Sequence, residues 1–324
     1  MQAPDFWAND GILSRLLAPF GWIYGIGAMA RRRCTTPYRA ERPIVCVGNF
    51  IAGGAGKTPV ALAIADWYLA KGLSPHFLTR GYGGRLAGPL QVDLQTHSPE
   101  DVGDEALLLA RKAPTWVSRT RAAGAKAAVA AGAEIIIMDD GFQNPGLYKD
   151  LSVVVVDGGY GIGNGRVMPS GPLREFLNAG LSRADAIVIL GKRGDRVFAE
   201  LTRNMLVIEA ALTPVPDFGN LDNNRAVAFA GIGRPQKFFD TLSDMGFEIT
   251  ATKSFPDHHV YSASEISELK SLAARTGASL VTTEKDYVRL DAKLAEDIRS
   301  VPVKVKWSNG MIVDGILSSV IAHG

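Results

Sequence analysis

Two hydrophobic periods alternate along this chain. Runs of consecutive apolar residues recur: "PIVCVGN" from Pro43, "PHFLTR" near 75, "TWVS" near 115, "EIIIMDD" from Glu134, "LSVVVVD" from Leu151, "ADAIVIL" from Ala184 and "MLVIEAAL" from Met205. Their length and branched composition predict strands. Between them lie stretches with apolar residues at helical spacing, such as "TPVALAIADWYLAKG", which stops at Gly72. Strands that are apolar on both faces and alternate with helices predict a parallel sheet covered on both sides, the α/β class. From Thr213, "TPVPDFGNLDNN" gathers Pro, Gly, Asp and Asn and predicts a linker over residues 213–225. The alternation then restarts: "RAVAFAGI" as a strand, "RPQKFFDTLSDMG" as a helix, "FEITATKSF" as a strand, and Ser262 with Glu265 as a capping box opening the next helix. "ASLVTTEKDYV", "VPVKVKW" and a last helix near "IVDGILSSVIAH" complete a smaller α/β domain expected over residues 226–324, beside a larger one over 36–212.

The first 35 residues follow neither period of the sheet. "GILSRLLAPFGWIYGIGAMA", from Gly11 to Ala30, contains one charge and is followed by Arg31, Arg32 and Arg33. A secretory signal places its positive charge before the apolar core, so the order here is reversed. Leu13, Leu16, Leu17, Phe20, Ile23 and Tyr24 fall on one face of a helix, with Trp22 near its edge. Two readings fit that periodicity equally: a helix lying in a membrane interface with its basic end at anionic head groups, and a helix packed on the protein's own core.

The chain has 324 residues, of which 47% are hydrophobic, enough for two domains with a real core. Its formal charge of +2 gives no global basic field of the kind a nucleic-acid binder shows. Cys34 and Cys46 form neither a disulfide framework nor a zinc spacing, which suits a reducing compartment.

Chemistry enters at "GNFIAGGAGKTP", residues 48 to 59, between a predicted strand and a predicted helix. A P-loop of the form G-x-x-x-x-G-K-[ST] wraps phosphates in backbone N–H groups, with the Lys on the outer phosphates and the hydroxyl on Mg²⁺. Gly56, Lys57 and Thr58 fit the end of that pattern, whereas Ile51 stands where its first Gly belongs. Gly53, Gly54 and Gly56, the last after Ala55, supply the pliable backbone, and the helix start adds a favourable dipole. The second signal is "EIIIMDDGFQN", a buried strand ending in Asp139 and Asp140 at the sheet's carboxyl edge, where ligands bind in open α/β sheets. Either carboxylate suits a metal, as the Walker B Asp does in P-loop enzymes. Weaker clusters are Asp104 with Glu105 at a helix start, His258 with His259, Arg119 with Arg121, and Arg174 with Glu175. Each alone reads as a solvated or dipole-serving group.

Taken together the segments "VGNFIAGGAGKTP", "TRGYGG", "GDEALLLA", "DDGFQN", "GNGRVMPSGPLRE", "GIGRPQKFF", "FPDHHVYS" and "TTEKDYVRL" resemble, in order and over nearly the whole chain, the motif series of the tetraacyldisaccharide 4'-kinase family. That family's loop resembles "GGxGKT" and needs no Gly at position 51. The resemblance implies a P-loop kinase-like sheet, a smaller second domain and an N-terminal membrane-associating helix. It also implies ATP and Mg²⁺ as cofactors and transfer of the γ-phosphate to the 4'-hydroxyl of an acylated disaccharide 1-phosphate, giving lipid IVA. Carried over by motif, the loop residues Gly53 to Thr58 bind ATP, Thr58, Asp139 and Asp140 serve the metal, and Lys57, Arg119 and Arg174 meet phosphate charge. Asp104 with His258 acts as the base, with His259 the other candidate histidine, and Asn49, Tyr82, Glu105, Gln143, Arg174 and Glu175 meet the substrate. One departure is Phe176, where the family pattern "GPLREP" has Pro, with an effect expected on the turn. A lipid acceptor tips the N-terminal helix towards the cytoplasmic face of the inner membrane, with no nucleic acid and no obligate protein partner implied. Two rivals fit less well. A partitioning-type P-loop ATPase carries a signature Lys where Ala52 stands, and a GTP-dependent metallochaperone carries metal-binding tracts and an N-K-x-D that do not occur here.

Overall fold

The structure is a computed structural model that describes residues 4–194, 201, 205–215, 224–291 and 293–322. Its larger sheet contains β1 (Ile44–Gly48), β2 (Pro75–Thr79), β3 (Leu90–Gln91), β4 (Thr115–Val117), β5 (Ile135–Asp139), β6 (Leu151–Asp157), β7 (Ala186–Leu190) and β8 (Leu206–Pro214). The smaller sheet contains β9 (Arg225–Ala230), β10 (Glu248–Ser254), β11 (Ser279–Thr283) and β12 (Ile298–Val301) in the order β10-β9-β11-β12, all parallel. A last strand, β13 (Val303–Trp307), returns to the edge of the larger sheet, giving the order β13-β8-β7-β6-β1-β5-β2-β4-β3. Among the described residues, only the two edge pairings, β13 with β8 and β3 with β4, are antiparallel. The α/β class with two sheets follows the sequence expectation.

The helices are α1 (Ile12–Arg33), α2 (Lys57–Ala70), α3 (Pro99–Val102), α4 (Asp104–Ala110), α5 (Arg121–Ala130), α6 (Leu177–Leu181), α7 (Pro235–Asp244), α8 (Ala263–Thr276), α9 (Glu284–Tyr287) and α10 (Gly310–Ala322). Strand alternation splits the large core in two. Val45 and Val47 of β1 face a layer with Val60, Ile64 and Tyr68 of α2 and Val313 and Leu317 of α10. Ile44 and Cys46 face the opposite layer, with Ala125 and Ala128 of α5, Phe142 and Leu173.

The expected extent of the second domain, 226–324, needs correction at its end. The run "VPVKVKW" breaks at Pro302: β12 stays in the smaller sheet, while β13 and α10 cover β8 and α2 of the larger one. Apolar alternation alone does not say which sheet edge a strand joins. Of the expected linker, residues 213 and 214 belong to β8 and Arg225 to β9, while 216–223 lie outside the described residues.

Helix α1 packs by its small residues. Ser14, Gly21 and Gly25 are buried, whereas Ile12, Leu16, Phe20, Trp22 and Ile23 are each more than half exposed. A Cβ on Gly21 would lie 2.6 Å from the Val167 carbonyl oxygen, and one on Gly25 would lie 2.6 Å from the Phe176 ring. Phe176, at the position of the family's Pro, keeps the turn because its φ of −62° is one proline adopts. Its ring meets Trp22 edge-on at 5.7 Å.

Candidate active site

β1 lies between β5 and β6, so the loop leaving it opens at the carboxyl edge of the sheet's centre. Ile51 is buried and bridges Leu173, and the Ala52 N–H donates to the Pro172 carbonyl at 2.8 Å. The place where a P-loop has its first Gly is here a core contact. Asn49 steadies the turn by donating from Nδ2 to the Gly53 carbonyl at 3.1 Å. Gly56, with φ +80°, caps α2 and leaves no space for a side chain, since a Cβ would sit 2.3 Å from a Leu190 methyl. Gly53 and Gly54 face open space. Lys57 and Thr58 are the first residues of α2 and both are buried.

The parallel register of β1 and β5 sets Val47 opposite Asp139, which brings the carboxylates to the loop. The Thr58 hydroxyl donates to Asp139 Oδ2 at 3.1 Å, and Asp139 Oδ1 is buried without a partner. Burial, and then the nearby charge of Glu105, push the Asp139 carboxyl well above the usual carboxylate range. Asp140 differs. It receives Arg174 Nη1 and Nη2 at 2.7 and 3.3 Å, and Lys57 Nζ lies 3.7 Å away. Burial acts to raise its pKa, but Lys57 and Arg174 outweigh burial and hold it at about 2. Gln143 joins the groups behind: Nε2 donates to the Asn49 carbonyl at 2.9 Å and to Glu175 at 3.2 Å, and Oε1 accepts from Arg174 at 3.4 Å. Glu175 also receives Arg183 and, from α1, Arg32 at 2.8 Å.

The second lobe closes the other side. Asp104 starts α4 after Gly103, whose φ of +87° is open to glycine. Its Oδ1 accepts the Glu105 N–H at 2.8 Å, and its Oδ2 meets His258 Nδ1 at 3.0 Å and Arg289 Nε and Nη2 at 2.7 and 2.6 Å. Burial works against the charged form of Asp104. The His258 hydrogen bond and the charges of Lys285 and Arg289 overcome it and hold the carboxyl far below its ordinary value. Lys285 Nζ lies 3.3 Å from Glu105 Oε1 and 3.3 Å from His258 Nε2. His259 instead pairs with Glu265 at 3.1 Å and stacks on Phe255, so it belongs to the lobe's own structure.

The structure therefore joins Lys57, Thr58, Asp139, Asp140, Asn49, Gln143, Arg174 and Glu175 around the loop, and Asp104, Glu105 and His258 beside it. Tyr82 is exposed with its ring 5.4 Å from that of His258. Arg119 is not joined to either group: it is exposed and donates to the Arg85 carbonyl at 3.4 Å. Arg121 is the buried arginine of that pair, with burial pushing its pKa down to about 10. Sequence reasoning missed Arg289, Lys285 and Asp157. The last ends β6 and receives Arg234 at 2.8 Å and Lys237 from the second lobe. The signal for the first two was the i, i+4 spacing of Lys285 and Arg289 in "TTEKDYVRL", which places them on one helical face but not towards any site.

A strand, a glycine-rich turn, a Lys-Thr helix start and a neighbouring strand that ends in carboxylates define a P-loop phosphotransferase. The profile of the family described as "Tetraacyldisaccharide-1-P 4'-kinase" matches residues 13–321. Tetraacyldisaccharide 4'-kinase of Paramagnetospirillum magneticum is 53% identical over 309 residues, 95% of each chain, and that of Rhodospirillum rubrum is 47% identical over 99% of this chain and 98% of its own. The crystal structure of LpxK from Aquifex aeolicus in complex with ATP superposes with a TM-score of 0.75 at 25% identity, covering 95% of this chain and 99% of that one. The chain belongs to the tetraacyldisaccharide 4'-kinase family, as the motif series implied, and it is an ATP-dependent kinase of lipid A biosynthesis.

Proposed function

We propose that the chain moves the γ-phosphate of ATP to the 4'-hydroxyl of a tetraacylated disaccharide 1-phosphate at the cytoplasmic face of the inner membrane, giving lipid IVA. The observation that carries this is the meeting of the Gly53–Thr58 loop and Asp139 with a second lobe that sets His258 against Asp104 at 3.0 Å. The orphaned Oδ1 of Asp139 beside the Thr58 hydroxyl fits Mg²⁺, which takes few protein oxygens and fills its shell with phosphate and water. When bound, Mg²⁺ supplies charge neutralisation on the phosphates. Asp139 and Thr58 are its holders in this reading, because Asp140 is already neutralised by Arg174 and Lys57.

Lys57 exchanges Asp140 for a phosphate oxygen, and Arg174 fixes the Asp140 loop. The acceptor's proton passes to Asp104 and His258 as a unit. Asp104 alone is a weak acceptor because both of its oxygens are engaged, and the His258 ring shares the load. Glu105 and Tyr82 stand at the rim of the sugar site, and the buried Asn49 and Glu175 with Gln143 brace the loop from behind. Arg119 has no part in this reading. The apolar side of α1 and the exposed Arg31 and Arg33 support seating on an anionic bilayer.

The test is transfer of labelled phosphate from ATP to the acylated disaccharide, against the same acceptor without acyl chains. Transfer is expected to the first, and Lys57→Ala should lower it by roughly 10²–10³-fold, the scale of losing one charge stabiliser. Near-normal turnover in a folded Lys57→Ala protein overturns the assignment.

A further inference from the structure

Two cations of the second lobe enter the cleft, and they are held differently. Arg289 is tightly held: its Nε donates to Asp104 at 2.7 Å, its Nη1 donates to Asp286 and to the Gly231 carbonyl, both at 2.8 Å, and its side chain is 4% exposed. Lys285, one turn earlier, has three donors and only long contacts: Glu105 at 3.3 Å, His258 Nε2 at 3.3 Å and Asp257 at 3.6 Å. Its side chain is 23% exposed. An ammonium ringed by acceptors and tightly bonded to none keeps hydrogen-bonding capacity for an anionic oxygen. Burial favours its neutral form, yet Glu105, Asp104 and Asp257 reverse that and raise its pKa, so it stays charged.

Its partners lie at the phosphate loop. Asp257 Oδ2 is 3.8 Å from the Cβ position of Gly233, and that position is 3.8 Å from the Gly54 nitrogen. Glu105, its other partner, is close enough to Asp139 to raise that carboxyl's pKa. Lys285 thus stands where the loop, the metal-holding carboxylate and the Asp104–His258 pair converge. Its contact with Glu105 crosses from one lobe to the other.

We propose that Lys285 is a further catalytic residue, which contacts the γ-phosphoryl group from the second lobe and stabilises the charge that develops on it during transfer. The inference rests on the kinase reading above. In that step a bond forms from the acceptor oxygen to the γ-phosphorus, the bond from that phosphorus to the β,γ-bridging oxygen breaks, and its electron pair leaves with ADP. The hydroxyl proton goes to the Asp104–His258 pair, and Lys285 keeps its three protons throughout. A fixed ammonium aimed at the transferring group stabilises the charge spread over its oxygens without covalent chemistry.

The experiment uses full-length protein with Mg²⁺ present and compares Lys285→Ala, Lys285→Gln and Lys285→Arg with the parent. Equilibrium affinities for ATP and for ADP are measured alongside kcat with the acylated acceptor. If Lys285 touches the γ-phosphate, Lys285→Gln should lose roughly tenfold or more in ATP affinity with ADP affinity unchanged. Its kcat should fall by roughly 10²–10³-fold, with partial recovery in Lys285→Arg. Unchanged ADP binding also certifies the fold, and Lys285→Gln, which keeps a polar stem, decides the matter should Lys285→Ala not fold. ATP and ADP affinities falling together, or a Lys285→Gln enzyme with parental kcat, would make the residue a lobe tie only and overturn the proposal. A parent that transfers no phosphate would instead overturn the kinase reading, and the two failures are told apart on the parent alone.

Discussion

Asp139 is a buried carboxylate with one oxygen unpartnered, which is destabilising in a protein that holds no ion against it. Its folded pKa is raised, so its favourable contribution is fully present below the unfolded value near 3.8 and is lost as pH rises through the folded value. Asp139→Asn should therefore stabilise the ligand-free protein, by an increment that grows from pH 4 into the neutral range and then levels, while abolishing transfer. Thermal unfolding at several pH values reads this directly, and an Asn variant that is less stable at pH 8 contradicts it. That an apolar strand ends in two aspartates at the edge of the loop was legible in the residues. Which of the two stays unpaired was not, because that depends on Arg174, 34 residues further on, taking Asp140.

At the scale of the element, α1 reverses the expected relation between apolarity and burial. The predicted apolar face is real, but Leu16, Phe20 and Ile23 point outward and glycines make the contact with the protein. Helices approach closely where side chains are smallest, and Phe176 uses the space over Gly25. Replacing Leu16, Phe20 and Ile23 together by Ser should leave the melting temperature within a degree or two, since exposed positions contribute about ±0.5 kcal/mol each. It should weaken partition onto anionic liposomes by at least ~10²-fold, because each such side chain contributes about 1.5–3 kcal/mol on burial. Parental partition in that variant would remove the membrane seat. Gly25→Leu should act in the opposite sense, undocking the helix and breaking the Arg32–Glu175 ion pair while leaving the outward face intact.

For the whole molecule the Arg289–Asp104 pair is the most deeply buried of the ion pairs described between the lobes. Removing one partner of a buried pair costs about 3–5 kcal/mol, because the other charge is left without compensation. Arg289→Met should lose that much in urea unfolding and should open the lobes in small-angle scattering. Asp104 has a depressed folded pKa, so its stabilisation is present above its ordinary value of 3.8 and is lost as pH falls through the folded value. The parent should consequently lose stability on acidification below about pH 4, and Arg289→Met should lose less over the same range. Equal acid sensitivity in the two proteins would show that Arg289 does not hold the Asp104 charge.

What the sequence by itself determined is whatever local order encodes: the alternation that makes strands and helices, the Gly-Lys-Thr helix start, the Ser262–Glu265 cap and the apolar strand ending in two aspartates. Each depends on residues a few positions apart, whose geometry the backbone sets without help from the rest of the chain. The tertiary structure decided what depends on distant partners. It sent β13 to the large sheet across Pro302, turned the apolar side of α1 away from the core, brought His258 and not His259 to Asp104, and placed Lys285 and Arg289 in the cleft. These are contacts over as many as 185 residues. They form because a packed core leaves one arrangement of the two lobes in which the buried charges are compensated, and that arrangement is a property of the assembled molecule.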